Sequence, residues 1–153
     1  MPAVFVSGKD RIEFMKDFHF TIPYDVRVAD VNYGGHVANS AVLNFFQDAR
    51  IAYLDNLGAF SELDLGEGCG IILPEAHVRY LAEMFLGDSL QISVAVRELR
   101  NSALVMNYLI EREGTATAEG TTNLVCYDYS ARKVRRLPRL FRQALIKFEG
   151  LEQ

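Results

Sequence analysis

The order of hydrophobic patterns along this chain predicts an α+β fold, in which one antiparallel sheet of about five strands wraps around a long central helix. Three observations carry the prediction. Apolar residues alternate singly at first, recur at three- and four-residue spacings through residues 39–57, then fill four further strand-like stretches, of which DSLQISVAVREL alternates cleanly. The later stretches are joined by connections of hairpin length. The apolar stripe of the helical stretch is broad, as in a helix buried over much of its girth.

The first strand lies in FHFTIPYDVRV, residues 18–28, where Phe18, Phe20, Ile22, Tyr24, Val26 and Val28 alternate with mostly polar neighbours. Pro23 has no N–H for a ladder, so this strand belongs at a sheet edge or a bulge. The helix follows, with Val42, Phe45, Phe46, Ala49, Ala52, Tyr53, Leu54 and Leu57 on its buried side. Asn39 or Ser40 can cap its start, and Gly58 is placed to end it in a left-handed conformation. Residues 59–69 read as a loop or short helical piece. Strands are then predicted in GIILPEAHVRYL, DSLQISVAVREL, SALVMNYLIE and TAEGTTNLVCYDY, parted by turn signals at Leu86-Gly87-Asp88, Arg100-Asn101-Ser102 and Glu113-Gly114-Thr115. The last strands should form an antiparallel meander. A short helix begins near Pro138 and runs to about residue 147. No repeat or linker interrupts the pattern, so residues 1–153 are read as one domain. A lone sheet around a lone helix leaves open edges, which dimerisation covers.

Composition excludes several classes of function. Half the residues are hydrophobic, enough for a core, and the formal net charge of −4 argues against nucleic-acid binding. Cys69 and Cys126 lie far apart in sequence, which fits a reducing cytoplasm better than a disulfide framework or zinc site. Three histidines, His19, His36 and His77, make a histidine-rich metal site unexpected. No apolar run approaches the roughly 18 residues of a membrane span. The start MPAVFVSGKDR has no basic, then apolar, signal-peptide pattern.

The densest run of useful chemistry is RVADVNYGGHVANS, residues 27–40, just before the helix. Asp30-Val31-Asn32-Tyr33-Gly34-Gly35-His36-Val37-Ala38-Asn39, followed on the helix by Asp48-Ala49-Arg50-Ile51-Ala52-Tyr53-Leu54, resembles the hotdog-fold acyl-CoA thioesterases of the 4-hydroxybenzoyl-CoA thioesterase-like group. Arg79-Tyr80, Gly87-Asp88 and Ala118-Glu119-Gly120 fit the same family in order and spacing, and the resemblance covers roughly residues 18–146. It implies hydrolysis of an acyl thioester of coenzyme A or acyl carrier protein, without metal or bound cofactor. It also implies a homodimer or homotetramer with active sites between subunits.

The resemblance assigns the attacking or water-activating carboxylate to position 32, which here is Asn32. A neutral amide holds water or donates to a carbonyl oxygen, but is not a base. Asp48 is the first candidate to take over the carboxylate's part, since some hotdog thioesterases that resemble this chain carry theirs on the helix. Asp30 or Glu75 are alternatives, or His36 can move the proton while Asn32 orients water. As turn residues, Asn32 and Asp30 can equally serve the loop alone. Gly70 aligns with the family's backbone N–H donor to the thioester oxygen, and is otherwise a strand-start glycine. In the basic stretch ARKVRRLPRLFRQALIK, Lys133 and Arg135 match residues that contact the coenzyme's phosphates in the family, with Arg100 a second candidate. Two other classes compete. An acyl-thioester binder that does not catalyse would need no base. A hotdog hydratase carries D-x-N-P-x-H, against which Asp30-x-Asn32 matches but Tyr33 and the later His36 do not.

Overall fold

The computed structural model describes residues 18–152. The stretch MPAVFVSGKDR, in which no signal peptide is expected, lies outside the described residues. Strand β1 (Phe20–Asp25) leads through a 3-10 turn (Val28–Asp30) to helix α1 (Asn39–Gly58). Strands β2 (Cys69–Tyr80), β3 (Ser89–Leu99), β4 (Ala103–Arg112), β5 (Thr115–Asp128) and β6 (Lys133–Val134) follow, and helix α2 (Arg139–Glu149) closes the chain.

The sheet order is β1-β3-β4-β5-β2, with the short β6 paired to the end of β5, and every pairing is antiparallel. β3, β4 and β5 form the expected meander. The β4–β5 turn has both central residues at positive φ, Glu113 at 50° and Gly114 at 78°, the twist that suits a two-residue hairpin. β1 and β2 are the edges, so Pro23 sits on an edge strand as its missing N–H requires.

The alternating residues of β3 and β4, Leu90, Ile92, Val94, Val96, Leu104, Met106, Tyr108 and Ile110, face α1 and are fully buried with Phe45, Phe46, Ala49, Tyr53 and Leu54 of the helix. Phe46 stacks on Tyr108 with ring centroids 4.4 Å apart. Gly120 makes this approach possible: a Cβ there would lie 2.6 Å from the Phe46 ring and 2.4 Å from the His77 carbonyl oxygen. The sheet thus curls around a central helix, as the α+β reading requires.

Both ends of α1 differ from expectation. Neither Asn39 nor Ser40 caps the start. The N-cap is Ala38, in extended conformation and without a side-chain cap bond, because its N–H is tied to the Asp30 carbonyl oxygen at 2.9 Å. At the other end the left-handed residue is Ala59, φ 63°, whose N–H reaches the Asp55 carbonyl oxygen at 3.0 Å. Gly58 instead leaves room for the Phe60 ring, which a Cβ would meet at 3.3 Å.

Candidate active site

The loop between β1 and α1 is built by side chains that satisfy its own backbone. The Asp30 carboxylate accepts from the Tyr24 hydroxyl at 2.7 Å and from the Arg27 N–H at 2.9 Å. Burial, and then the bond to Asp30, push the Tyr24 phenol up to about 12. Asp30 is therefore engaged in bracing the loop. Two residues on, the Asn32 side-chain oxygen accepts the Gly34 N–H at 3.1 Å, an Asx turn. The Asn32 N–H bonds the His36 carbonyl oxygen at 2.9 Å and the Gly35 N–H bonds the Asn32 carbonyl oxygen at 3.0 Å, closing a tight bend with Gly35 at φ 77°.

A second segment meets this loop. Val37 N–H donates to the Met84 carbonyl oxygen at 2.8 Å, Leu86 N–H to Gly35 at 3.1 Å, and His36 forms a bridge pair with Phe85. Residues 83–88 are held in turn by Arg112, which donates to the Glu83 carbonyl oxygen and to the Asp88 carboxylate, each at 2.8 Å. Burial raises Asp88, but Arg112 and the Phe85 N–H outweigh it and keep the carboxyl below the usual carboxylate range.

Between loop and segment lies a cleft of about 470 Å³. Asn32, His36 and Asn39 line one side, Tyr80, Glu83 and Met84 the other, with Val42 of α1 also at its wall. The Tyr80 hydroxyl donates to the Asn39 carbonyl oxygen at 3.0 Å, tying β2 to the start of the helix. His36 Nδ1 lies 3.5 Å from Glu83 Oε1. Gly34 lets the His36 ring come close to the bend: a Cβ there would lie 3.0 Å from His36 Cδ2, 3.6 Å from Nε2 and 3.5 Å from Asn32 Oδ1. The Gly34 N–H occupies the amide oxygen, leaving the Asn32 NH₂ with no partner among the described residues.

The other sequence candidates are elsewhere. Asp48 is exposed on α1, nine residues beyond Asn39 and so about 13 Å along the axis. Glu75 bonds His77 at 2.5 Å and Asn123 at 2.6 Å, which in that order hold its carboxyl below the usual range. Gly70 is at the opposite end of β2 from Tyr80, about 33 Å away along the strand. It is tightly enclosed: a Cβ would meet the Glu62 carbonyl oxygen at 2.7 Å and the Tyr129 ring at 2.8 Å. Lys133 and Arg135 lie at this far end too, because β6 pairs with Tyr127 and Asp128, opposite Gly70 and Cys69 on β2. Arg135 is 3.4 Å from Asp128 and Arg100 is 2.9 Å from Glu98. A neighbouring cleft of about 370 Å³ is lined by Asn101, Arg136, Arg139 and Arg142, with Glu67 at its rim. These arginines belong to the basic stretch but were not singled out by sequence. Within one chain, then, Asn32 and His36 come together, while Asp48, Gly70 and the basic set do not join them.

Glu83 is the residue that sequence reasoning missed. No periodicity links it to position 36. The only signal is its place just before the Gly87-Asp88 turn that brings its segment beside the loop. Among the described residues no three His, Cys, Asp or Glu side chains gather into a metal-binding group.

Three proteins are similar to this chain. The acyl-CoA thioesterase YbgC of Haemophilus influenzae is 25% identical over 82% of this chain and 93% of its own. The 1,4-dihydroxy-2-naphthoyl-CoA hydrolase of Microcystis aeruginosa is 26% identical over 86% and 98%. A thioesterase of Thermus thermophilus, solved as a complex with coenzyme A and zinc, superposes with a TM-score of 0.78 at 29% identity, covering 91% of this chain and 100% of that one. With the antiparallel sheet wrapped on its helix, this establishes the hotdog fold. The thioesterase-like superfamily matches residues 26–145, nearly the whole described chain, and the protein belongs to that family.

Proposed function

We propose that the protein hydrolyses acyl thioesters of coenzyme A or acyl carrier protein to free acid and thiol, in the cleft at the start of α1. The observation that carries the reading is the pairing of an amide, its NH₂ without a partner among the described residues, with an imidazole in that cleft, in a chain of the thioesterase-like superfamily. Asn32 donates its NH₂ to the thioester oxygen and stabilises the oxyanion. The first-turn N–H groups of α1, which lack a capping side chain, add positive potential at the same place. His36 takes a proton from water as the water oxygen attacks the carbonyl carbon. The tetrahedral intermediate collapses, the carbon–sulfur bond breaks, and the thiolate takes the proton from the imidazolium. The steps use protein side chains and water alone.

The site is completed by a second copy. The outer edge of β2 has no strand partner among the described residues. Antiparallel pairing of two β2 edges about a two-fold axis near residues 75–77 brings the Gly70 end of one strand against the Tyr80 end of the other. That pairing cancels the length of β2 which separates the two groups in one chain. It sets Gly70 and the arginine-rich end of the partner toward the cleft, where Lys133, Arg135 and Arg100, with Arg136, Arg139 and Arg142, can hold the phosphates of the thiol carrier. A homodimer, alone or paired into a tetramer, and a cytoplasmic location follow this reading. Cys69 and Cys126, buried and free, suit a reducing compartment.

The test is a panel of short, long and aromatic acyl-CoAs, with thiol release followed by a thiol-reactive dye. Turnover well above background supports hydrolysis. Tight binding without turnover overturns it and leaves a non-catalytic acyl-thioester binder, the reading that Asn32 in place of a carboxylate otherwise favours.

A further inference from the structure

We propose that Glu83 positions His36 as the base: its carboxylate holds the imidazole proton on Nδ1, so that the Nε2 lone pair faces the cleft. This inference rests on the hydrolytic reading above. It explains how a thioesterase site works without a carboxylate at position 32.

The geometry is specific. Glu83 Oε1 approaches Nδ1, at 3.5 Å, and not Nε2. The other edge of the ring, Cδ2 and Nε2, lies over Gly34, where a Cβ would come within 3.0 Å and 3.6 Å of them, beside the Asn32 amide oxygen. The two ring nitrogens therefore have different surroundings, the Glu83 carboxylate beside Nδ1 and the Asn32–Gly34 bend beside Nε2, with the ring itself lining the cleft. Which nitrogen carries the proton is set by what the other one meets. The ring plane is fixed as well, since Phe85 packs against His36 with centroids 4.9 Å apart. Glu83 is itself held from behind, its carbonyl oxygen bonded to Arg112 at 2.8 Å. Its carboxylate has no other partner among the described residues, so nothing there competes for it. The contact is longer than a hydrogen bond and closes to one when the exposed Glu83 side chain moves onto Nδ1–H.

The reaction balances on this pair. The water O–H bond breaks and its proton moves to Nε2 while the oxygen bonds the acyl carbon. His36 becomes imidazolium between Asn32 and Glu83, and the carboxylate stabilises that charge. The proton then goes from Nε2 to the leaving thiolate sulfur. Glu83 ends unchanged, a positioning residue that does not touch substrate.

The full-length protein labelled with ¹⁵N at histidine, and its Glu83→Leu variant, provide the test. Glu83 has 71% of its side chain exposed, so the variant should fold. In the parent at a pH where His36 is neutral, the ¹⁵N shifts should report Nδ1–H with Nε2 free. In Glu83→Leu they should move toward Nε2–H, the form free imidazole prefers. With an acyl-CoA that the parent hydrolyses, kcat should fall at least roughly tenfold, part of the 10²–10⁴ that a general base supplies, with KM within about twofold and the melting temperature unchanged. An Nε2–H tautomer in the parent, or the same tautomer in both proteins, overturns the pair. The two readings fail separately: a parent that shows the Nδ1–H form but releases no thiol keeps the pair and loses the reaction. Equal hydrolysis by both proteins keeps the reaction and loses Glu83.

Discussion

Two polar clusters of this molecule are built from similar residues and treated in opposite ways. In the interior, Arg50 of α1 donates to Glu62 at 2.5 Å and to the Tyr108 hydroxyl at 3.1 Å, and that hydroxyl meets Thr122 at 2.7 Å. Phe46 stacks over the tyrosine, and Arg50 is only 7% exposed. At the edge, Asn32, His36 and Glu83 share an open cleft with the amide NH₂ and one imidazole nitrogen unengaged. The contrast follows from desolvation. A charge inside the core is tolerated only when its partners are present in the fold, whereas a group at the surface can wait for water or ligand. Density of polar residues in sequence does not separate the two cases. Asp48-Ala49-Arg50 looks like site chemistry, yet Arg50 ties the loop after α1 to the sheet and Asp48 faces solvent.

The strongest way to break the interior cluster is to remove one partner. Arg50→Leu strands Glu62, which bonds nothing else through that oxygen, and should cost about 3–5 kcal/mol in urea unfolding. A loss under about 1 kcal/mol would mean that Glu62 turns out to solvent and the network is dispensable. The cleft should respond in the reverse sense. Asn32→Ala removes an exposed amide and its one Asx-turn bond, so stability should fall by no more than about 1 kcal/mol, while kcat for acyl-CoA hydrolysis falls on the order of 10²-fold as an oxyanion donor is lost. Asp48→Asn, placed far along the helix, is expected to lose less than Asn32→Ala. The opposite ranking would return the carboxylate's part to Asp48, supplied by a second copy of the chain.

What sequence revealed divides along the same line. Strand and helix periods are properties of local geometry, and they located β1, α1 and the meander with small errors at the ends. Those errors arose where a distant group decided the outcome: the Asp30 carbonyl oxygen ties Ala38, so neither Asn39 nor Ser40 caps α1. Asn32 and His36 were legible because they sit in one loop. Glu83 was not, because only the pairing of residues 35–37 with 84–86 brings it to His36. Gly70 and Lys133 resemble site residues in sequence but are carried to the far end by the length of β2.

The neighbouring glycines sharpen the comparison within the cleft. Gly35 is needed for its torsion: φ is 77°, and a Cβ would meet nothing within 4 Å. Gly35→Ala should therefore cost about 1 kcal/mol of stability through backbone strain alone. Gly34 has no such torsion but a Cβ would sit 3.0 Å from the His36 ring. Gly34→Ala should leave stability nearly unchanged and lower kcat by roughly threefold to tenfold as the imidazole is pushed aside. Paired melting and rate measurements distinguish the two, and equal effects of both substitutions on kcat would show that loop conformation, not ring placement, governs the rate.

One group fits neither pattern, and it gives the smallest expected effect. Glu149, at the end of α2, accepts the Val96 N–H at 2.8 Å through one oxygen, while its other oxygen and the Tyr53 hydroxyl are buried with no partner among the described residues. Burial raises the Glu149 carboxyl above its ordinary 4.5, against the opposing pull of the Val96 N–H and Arg97. The folded state thus favours the protonated form. Its stabilising contribution is complete below the ordinary carboxylate value and is lost as pH rises through the raised one. Glu149→Gln imitates the protonated form at every pH. The variant should melt roughly 1–3 °C above the parent at about pH 7, with the gap closing toward about pH 4. A gap that widens on acidification would mean that the ionised carboxylate stabilises this corner, and that Arg97 outweighs desolvation there.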